Sequence, residues 1–393
     1  MLKQLFNPYP SATVTDLPKK EQLYELIRAN PFISQQDLAS ALGLSRSAVA
    51  NYIATLVRER RILGRAYVLP DQRPILCIGA ANLDRKLRSV GPLVPGSSNP
   101  ATQDESFGGV ARNIAENLAR LGAPTALITA VGNDASGRAL LAHAEDAGID
   151  TRGALRLDGA SSGTYTAVLD QHGELMVALA DMALNDRLTP AFLATRQQQR
   201  AGAALVVADL NLPTESIAAL LDEAARSSVA LVLVAVSEPK MARLPASLLG
   251  LRLLILNEGE LAARVGRALG TDADLDAACA ELQRQGAQDV VVTRGMRGAC
   301  YTSPSGVMHL AAPSVDVVDV TGAGDAFAAA LCWSLHGGGS EGGASEGGDL
   351  ALACRRGLRL SAMTIECRQT VCPALAMGHL DGVTDEPTEP VLD

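Results

Sequence analysis

The segment Val318–Phe327 reads VDVTGAGDAF and lies directly before the apolar run AFAAALCWSL. If a helix begins here, the backbone N–H groups of Gly322, Ala323 and Gly324 lie at its N-terminus, where the helix dipole and unpaired donors favour an anion. The small residues would allow a phosphate to approach closely. Asp325 would then face an attacking hydroxyl as its general base. The segment predicts phosphoryl transfer; the alternative is an ordinary glycine-containing loop capped by Asp325.

Alternating strands and helices surround that segment. Continuous apolar runs such as PILCIGA, ALVVADL and DVVVTRG alternate with helical patterns such as VARNIAENLARLG, which indicates a mostly parallel sheet covered on both faces. The stretch SGTYTAVLDQHGELMVALADM departs from this rhythm and predicts an antiparallel hairpin. Attached to an α/β body, such a hairpin is a candidate lid over a cleft. We therefore expect a Rossmann-type three-layer α/β sandwich with a small β lid.

The composition limits the class of protein. The chain has 393 residues, of which 48% are hydrophobic, and a net charge of −9. It can therefore build a sizeable core in one or two domains, and its surface as a whole does not suit nucleic acid. Seven scattered cysteines without CxxC spacing are typical of reduced thiols, and no apolar run reaches membrane-spanning length. We expect a cytoplasmic protein without membrane contact, and structural roles for its five histidines.

The first 70 or so residues have a different pattern. A short amphipathic helix precedes ISQQDLASALGLSRSAVANYIATLVRERRILGRAYVLP, which predicts two helices joined by a tight turn and then a β-hairpin. This order resembles the winged helix-turn-helix family over roughly residues 17–69, in which the second helix of the pair enters the major groove. The resemblance implies duplex DNA as a partner; the alternative is a protein-interaction or dimerisation module. The candidate contacts are Arg46, Asn51, Arg58, Arg60, Arg61 and, on the wing, Arg65.

The motif around Asp325 resembles the signature D-T-x-G-A-G-D of the ribokinase-like (PfkB) carbohydrate kinases, with Val320 in place of the family's threonine. Four further family elements occur in the family's order. They are Asp84 in GAANLD, the pair Gly108 and Gly109 followed by Asn113, the N-x-x-E element Asn257 and Glu260, and Thr293 and Gly295 in VVVTRGMRGA. The resemblance spans residues 75 to 380 and implies a ribokinase-like fold and an ATP-dependent kinase.

Two groups of binding residues follow from this resemblance. In the family, one group holds the sugar hydroxyls, here Asp84, Gly108, Gly109 and Asn113. The other group belongs to the nucleotide site, here Asn257, Thr293, Gly295 and Thr321.

The resemblance also implies two cations besides ATP. It links Glu260 to Mg²⁺ through water, and Asp319 together with Thr321 to a monovalent cation such as K⁺. The chain has only five lysines and no GxxxxGK[ST] loop. We therefore expect backbone dipoles, Mg²⁺ and Arg294 to handle the phosphate charge.

Segments outside the catalytic motifs, among them GTYTAVLDQHGELMVALADM, ADLNLP and VSEPKMARL, are most similar to the pseudouridine kinases of this family. That resemblance implies phosphorylation of the 5′-hydroxyl of pseudouridine, with Thr164 or Thr166 of the lid over the uracil. Asp181 and Asp209 are either polar contacts near the cleft or structural caps. Two alternatives stay open: a kinase of another ribonucleoside or sugar, and a transcriptional regulator that uses the kinase fold as a ligand sensor.

The predicted domains are a winged helix-turn-helix domain at 1–70, a kinase domain at 71–380 and a disordered acidic tail at 381–393. Lid strands are expected around 85–107 and 160–182. The segment LPDQRP has the composition of a linker, and HGGGSEGGASEGGD that of a glycine-rich loop. We expect the protein to form a homodimer.

Overall fold

The computed structural model describes residues 18–29, 33, 35–63, 73–337 and 349–383. The chain divides into two compact units, Met1–Arg73 and Pro74–Asp393, and each is described by itself. Several predictions lie outside the described residues: the wing hairpin with Arg65, most of the linker, most of the glycine-rich loop and most of the acidic tail.

The N-terminal unit contains three helices, α1 (Lys19–Ala29), α2 (Gln35–Leu42) and α3 (Arg46–Arg58). Ser45 caps α3, because its side-chain oxygen accepts a hydrogen bond from the backbone N–H of Ala48 at 3.2 Å. The apolar residues that recur at helical spacing form one small core: Leu23, Ile27, Leu38, Leu42, Val49, Leu56 and Ile62. These three helices have the order that the sequence pattern predicts.

The second unit consists of fourteen strands and nine α-helices within the described residues. The strands are β1 (Ile75–Ile78), β2 (Asn82–Ser89), β3 (Ala101–Gly108), β4 (Thr125–Ile128), β5 (Ala130–Gly132), β6 (Leu155–Leu157), β7 (Thr164–Leu169), β8 (Leu175–Asp181), β9 (Leu205–Asp209), β10 (Ala230–Val234), β11 (Leu251–Asn257), β12 (Asp289–Thr293), β13 (Ala299–Ser303) and β14 (Gly306–Leu310). The helices are α4 (Val110–Arg120), α5 (Ala135–Asp146), α6 (Pro190–Ala194), α7 (Gln197–Ala201), α8 (Thr214–Ala224), α9 (Glu258–Val265), α10 (Asp272–Arg284), α11 (Ala323–Leu335) and α12 (Leu350–Ile365).

Eight strands form the central sheet, in the order β14-β13-β12-β11-β10-β9-β1-β4. Six of these strands, β12, β11, β10, β9, β1 and β4, run parallel to one another. β13 and β14 add an antiparallel edge that the sequence patterns did not indicate. In parallel strands the carboxyl ends meet at one edge of the sheet. Asp209, Asn257 and Thr293, the last residues of β9, β11 and β12, therefore lie along the same edge.

Alternate side chains of the central strands enter two different cores. Cys77, Val207 and Ile255 pack on one face with α4, α11 and α12, whereas Ile78 and Ala208 pack on the other face with α8, α9 and α10. Because successive residues of a strand point to opposite faces, each apolar run supplies both layers. The continuous Val/Leu/Ile pattern therefore predicts a sheet covered on both sides, as the structure has it.

A separate four-stranded sheet, called the lid here, has the order β3-β2-β7-β8. β7 and β8 are antiparallel, as the pattern around DQHG predicts, and β2 runs parallel to β7 and antiparallel to β3. A two-stranded pair, β5 and β6, completes the strands of the described residues. Within the same residues, no helix is both long and apolar enough to cross a bilayer.

Candidate active site

Helix α11 begins at the glycine-rich signature. Gly322 is its N-cap and has a φ of +83°, and a Cβ atom at this position would overlap the carbonyl oxygen of Thr370, so only glycine fits. The first N–H groups of a helix have no intrahelical acceptor. At Gly324 no heavy atom lies within 4 Å of where a Cβ would be. The start of α11 is therefore open to a ligand, with donors suited to an anion.

Asp325 lies in the first turn of α11, half-buried, and is held by one side chain. The Nδ2 of Asn113 donates to its Oδ2 at 2.6 Å. Burial raises the pKa of Asp325 to about 7, and the negative Asp209 and Asp84 add to this, whereas the Asn113 hydrogen bond and the positive charge of Arg112 lower it. A carboxyl group with such a pKa is suited to exchange a proton near neutral pH.

The predicted sugar element faces Asp325 from helix α4. Gly109 is the N-cap of α4 with a φ of +99°, and a Cβ there would overlap the backbone of Ala80. A Cβ at Gly108 would overlap the carboxyl group of Asp84. Gly108 therefore lets Asp84 approach the start of α4, and Gly109 lets the backbone at Ala80 do so. Asn113, the last predicted member, lies in the first turn of this helix. Burial raises the pKa of Asp84, and the hydrogen bond from Asn82 at 2.5 Å and the nearby cations lower it.

The predicted lid residues Thr164 and Thr166 lie on a different face of the lid from Asp84. In the register of β2 and β7, Asp84 pairs with Tyr165, whereas Thr164 and Thr166 pair with Leu83 and Arg85. Paired residues of neighbouring strands point to the same face, and successive residues alternate. The expectation that Thr164 or Thr166 contacts the acceptor together with Asp84 is not supported by this register, since both lie on the face opposite Asp84. The aromatic residue on the Asp84 face is Tyr165, which is 37% exposed.

Asp319, the expected ligand of a monovalent cation, already contacts an ammonium group. Lys86, on the Asp84 face of β2, binds its Oδ2 with Nζ at 2.9 Å. The backbone N–H and the hydroxyl of Thr321 donate to its Oδ1 at 2.9 and 2.6 Å. Both carboxylate oxygens are therefore engaged, and the arrangement does not fit a bound K⁺ while Lys86 stays in place. Thr321 serves to orient Asp319 here.

The N-x-x-E element forms the start of α9. The side chain of Asn257 accepts from the N–H of Glu260 at 2.9 Å, and Oε2 of Glu260 accepts from the N–H of Asn257 at 2.7 Å. This is a capping box, which occupies one oxygen of Glu260 and none of the donors of the Asn257 amide. The predicted residues Asn257 and Glu260 thus have a structural function as well as any contact to nucleotide or Mg²⁺.

Thr293 ends β12, and Gly295 follows with a φ of +57°. The intervening Arg294 is not free to bind phosphate. Its guanidinium donates to Glu258 at 2.9 Å and to Asp272 at 2.6 Å, and it contacts Nδ1 of His309 at 3.1 Å. The expectation that Arg294 handles phosphate charge is not supported, because two carboxylates neutralise it.

Asp209 and Asp181 differ in environment. The buried carboxylate of Asp209 accepts hydrogen bonds from the backbone N–H groups of Ala80, Ala111 and Asn211 at 2.8 to 3.0 Å. This is the structural cap that the sequence left as one alternative, and it ties β1, the start of α4 and the end of β9 together. Asp181 is exposed at the end of β8 and pairs with Thr164, on the face away from Asp84.

In the N-terminal unit, Arg46 and Asn51 are exposed on α3. Arg61 differs, because it forms two hydrogen bonds with Glu21, at 2.8 and 2.7 Å, and stacks on Tyr24. Arg61 therefore stabilises the fold of this unit, and the expectation that it faces DNA is not supported. Arg58 donates to Thr55 and remains exposed.

Three residues at the site were missed by the sequence patterns: Lys86, Tyr165 and Arg112. Lys86 could have been found from its i, i+2 spacing to Asp84 on a strand. Arg112 could have been found from its i, i+4 spacing to Glu116 on a helix. Tyr165 depends on the register between two strands, which no local pattern indicates.

Comparisons with known proteins agree with this architecture. The model of the pfkB family carbohydrate kinases matches residues 72–375, and a winged helix-turn-helix DNA-binding model matches residues 17–62. The chain is 33% identical to the uncharacterized sugar kinase YeiI of Escherichia coli, over 81% of this chain and 87% of YeiI. It is 32% identical to the pseudouridine kinase of Escherichia coli, over 78% of this chain and 95% of that enzyme. The structure of an Arabidopsis thaliana ribokinase complexed with ribose and ATP matches with a TM-score of 0.67 at 20% identity, covering 79% of this chain and 97% of that one.

The chain therefore belongs to the pfkB family of carbohydrate kinases. It is an ATP-dependent phosphotransferase of the sugar and nucleoside kinase class. Its ribokinase-like α/β fold is preceded by a winged helix-turn-helix domain.

Proposed function

We propose that the protein transfers the γ-phosphate of ATP to the 5′-hydroxyl of pseudouridine. The contact between Asn113 and Asp325 carries the proposal, because it joins the sugar element and the catalytic signature, 212 residues apart, at one point. The likeness to a pseudouridine kinase over 95% of that enzyme's length supports the choice of acceptor.

The residues at the start of α11 supply the base and the backbone donors of the transfer step. Oδ1 of Asp325 accepts no hydrogen bond from the described residues, so it takes the proton of the 5′-hydroxyl. The hydroxyl oxygen forms a bond to the γ-phosphorus, and the bond to the bridging oxygen breaks with its electron pair leaving on ADP. The N–H groups at Gly322–Gly324 stabilise the charge on the phosphoryl oxygens during this step.

Mg²⁺, when bound with ATP, neutralises phosphate charge. Glu260 is the residue that would hold it through water, since its Oε1 has no protein partner among the described residues and burial raises the pKa of its carboxyl group. No cluster of three or more metal-binding side chains occurs in the described part of the chain. This fits an ion carried mainly by substrate phosphates and water.

The face of the lid that bears Asp84 supplies the remaining contacts. We place the ribose hydroxyls against Asp84 and Asn113, and the uracil ring against Tyr165. Tyr165 pairs with Ala180 of β8, and Ala167, the next residue on the same face of β7, pairs with Ala178, so small side chains surround Tyr165 on this face and leave space for a ring to stack. Base–aromatic stacking contributes about 1–3 kcal/mol.

An acceptor panel tests the proposal. Pseudouridine, uridine, inosine and ribose are compared by kcat/KM in an ADP-release assay, and pseudouridine is expected to be preferred. Tyr165→Ala should lower kcat/KM for pseudouridine about tenfold or more while changing that for ribose little. Thr166→Ala, on the opposite face, is the matched control. If ribose or another nucleoside is preferred, the acceptor assignment fails and the family activity remains.

A sugar acceptor is the second candidate, because YeiI, a sugar kinase, matches this chain as closely as the pseudouridine kinase does.

For the N-terminal unit we propose duplex DNA binding through Arg46 and Asn51, with Arg65 outside the described residues. The exposure of Arg46 and Asn51 on α3 and the family match over residues 17–62 support this.

A further inference from the structure

A buried arginine adjoins Asn113 on helix α4. Arg112 is only 2% exposed, and its guanidinium makes three contacts. Nη2 donates to Oδ1 of Asn113 at 2.5 Å, Nη1 donates to Oε2 of Glu116 at 2.6 Å, and Nη1 lies 3.5 Å from Nδ1 of His143. Its Nε is buried without a hydrogen-bond partner among the described residues.

The contact with Arg112 determines which way the Asn113 amide points. A guanidinium can only donate hydrogen bonds, so the oxygen of the amide must face Arg112. The NH₂ group must then face Asp325, to which it donates at 2.6 Å. With the amide reversed, two oxygens would meet at Asp325 and two sets of donors at Arg112.

The charges around Arg112 do not cancel. Glu116 accepts from Arg112 through Oε2 and from Arg120 through Oε1, at 2.6 and 2.8 Å. Two guanidinium groups therefore share one carboxylate, which leaves one positive charge for the other acidic groups near Arg112. These are Asp84 and Asp325, whose negative charges interact with that of Arg112.

The groups that face Asp325 come from several elements. Helix α4 contributes Arg112, β2 contributes Asp84, and the end of β9 contributes Asp209. From α12 the contact at this end of α11 is the uncharged Ser361, which donates to the carbonyl of Ala323 at 2.7 Å, whereas Arg356 binds Ser334 at the far end. Among the described residues, the cation that these contacts and charges bring to bear on Asp325 is Arg112.

We propose that Arg112 is a positioning residue of the phosphoryl transfer: its guanidinium holds the Asn113 amide against Asp325 and supplies the positive charge that faces the base. The inference rests on the proposed role of Asp325. Arg112 does not touch the reacting atoms, and its effect passes through Asn113 and through space.

The test compares Arg112→Met and Arg112→Lys with Arg200→Met. Arg200 is a matched control, because it is also a buried arginine paired with a glutamate, Glu223, but it lies away from Asp325. Two quantities are measured: the pH dependence of kcat/KM with whichever acceptor of the panel reacts best, and the ¹³C titration of the Asp325 carboxyl in ligand-free protein.

In Arg112→Met the pH at which Asp325 ionises should rise by about one pH unit or more, so that activity is lost more at pH 6 than at pH 9. Arg112→Lys should restore that pH, because the charge returns. It should not restore kcat fully, because an ammonium group cannot reproduce the two-pronged contact with Asn113 and Glu116. Arg200→Met should leave the ionisation of Asp325 unchanged.

An unchanged ionisation of Asp325 in Arg112→Met, or an equal change in Arg200→Met, would overturn the inference and leave Arg112 with a structural role only. If Arg112→Met does not fold, Arg112→Gln replaces it; this variant can still donate to Asn113 but is uncharged, and the same rise is expected. The NMR titration needs no acceptor, so a failure of pseudouridine as substrate does not affect the outcome.

Discussion

At the scale of single residues, Asp325 combines enclosure with one directed hydrogen bond. Burial raises its pKa to about 7, so near neutral pH the carboxyl group is divided between its two protonation states. Only the ionised form can accept the proton of an acceptor hydroxyl. We therefore expect kcat/KM to increase as the pH rises through about 7 and to level off above it.

Asp325→Asn should lower kcat by about 10²–10⁴-fold, with acceptor binding largely kept, because the amide oxygen can still accept from Asn113. A steady-state assay and calorimetric titration of the acceptor would measure this. Asp319→Asn, six residues earlier, is the comparison variant, since Asp319 does not contact Asn113. Near-normal turnover in Asp325→Asn would show that Asp325 is not the base.

The same substitution should stabilise the free protein at high pH. The carboxyl ionises near its ordinary pKa in the unfolded chain but only near 7 in the folded one, so stability decreases as the pH rises between these values. Asp325→Asn removes this loss and should gain about 1–3 kcal/mol at pH 8 and almost nothing below pH 4. Thermal unfolding at both values would measure the difference.

At the scale of elements, the lid contacts the catalytic signature through one ion pair. Lys86 of β2 binds Asp319, which lies in the segment that leads into α11. The side chain of Lys86 is 45% exposed, and pairs of this kind are typically worth about 1 kcal/mol or less. The ammonium group nevertheless binds the carboxylate that the family resemblance links to a monovalent cation.

We expect the wild-type rate to depend little on K⁺, because Lys86 supplies the charge at Asp319. In Lys86→Met, Oδ2 of Asp319 loses its ammonium partner, and added K⁺ should raise kcat/KM about fivefold, the equivalent of about 1 kcal/mol. Rates in KCl and in choline chloride at equal ionic strength measure this. Arg85→Met, on the opposite face of β2, is the control. A wild-type enzyme that requires K⁺ as strongly as Lys86→Met would contradict this role of Lys86.

At the scale of the whole molecule, the chain joins a kinase unit to a unit with a DNA-binding pattern. Helix α3 exposes Arg46 and Asn51, whereas Arg61 is held by Glu21. A DNA contact of this type would depend on arginine–phosphate attraction and would weaken steeply with salt. A link between the two units would make the nucleoside an effector of DNA binding.

Selection of bound fragments from random duplexes should enrich a specific sequence, and Arg46→Ala and Asn51→Ala should weaken its binding. Arg28→Ala on α1, an exposed arginine paired with Glu25, is the control. Pseudouridine should change the affinity by a modest factor, since such couplings typically amount to about 1–3 kcal/mol. If no sequence is enriched, the unit is an interaction module; enrichment without a nucleoside effect would contradict only the coupling.

The sequence alone determined the parts of this protein that depend on local patterns. Apolar runs and helical spacing predict the layered sheet and the three N-terminal helices, because burial imposes the same periodicity wherever these elements occur. Gly322 and Asp325 predict the anion site and the base, because small residues at a helix start leave unpaired N–H donors open to an anion. The family resemblance then places Asp84 and Asn113 in one site.

Contacts between segments that are distant in the chain become visible only in the folded protein. The face of the lid on which Thr164, Thr166 and Tyr165 lie follows from the register between β2 and β7, and a shift of one residue would reverse it. The carboxylates that neutralise Arg294 and Lys86 come from other parts of the chain. The sequence therefore shows that these two residues are charged but not that their charges are paired. The pKa of Asp325 likewise depends on burial and on charges brought together by folding, which no stretch of sequence contains.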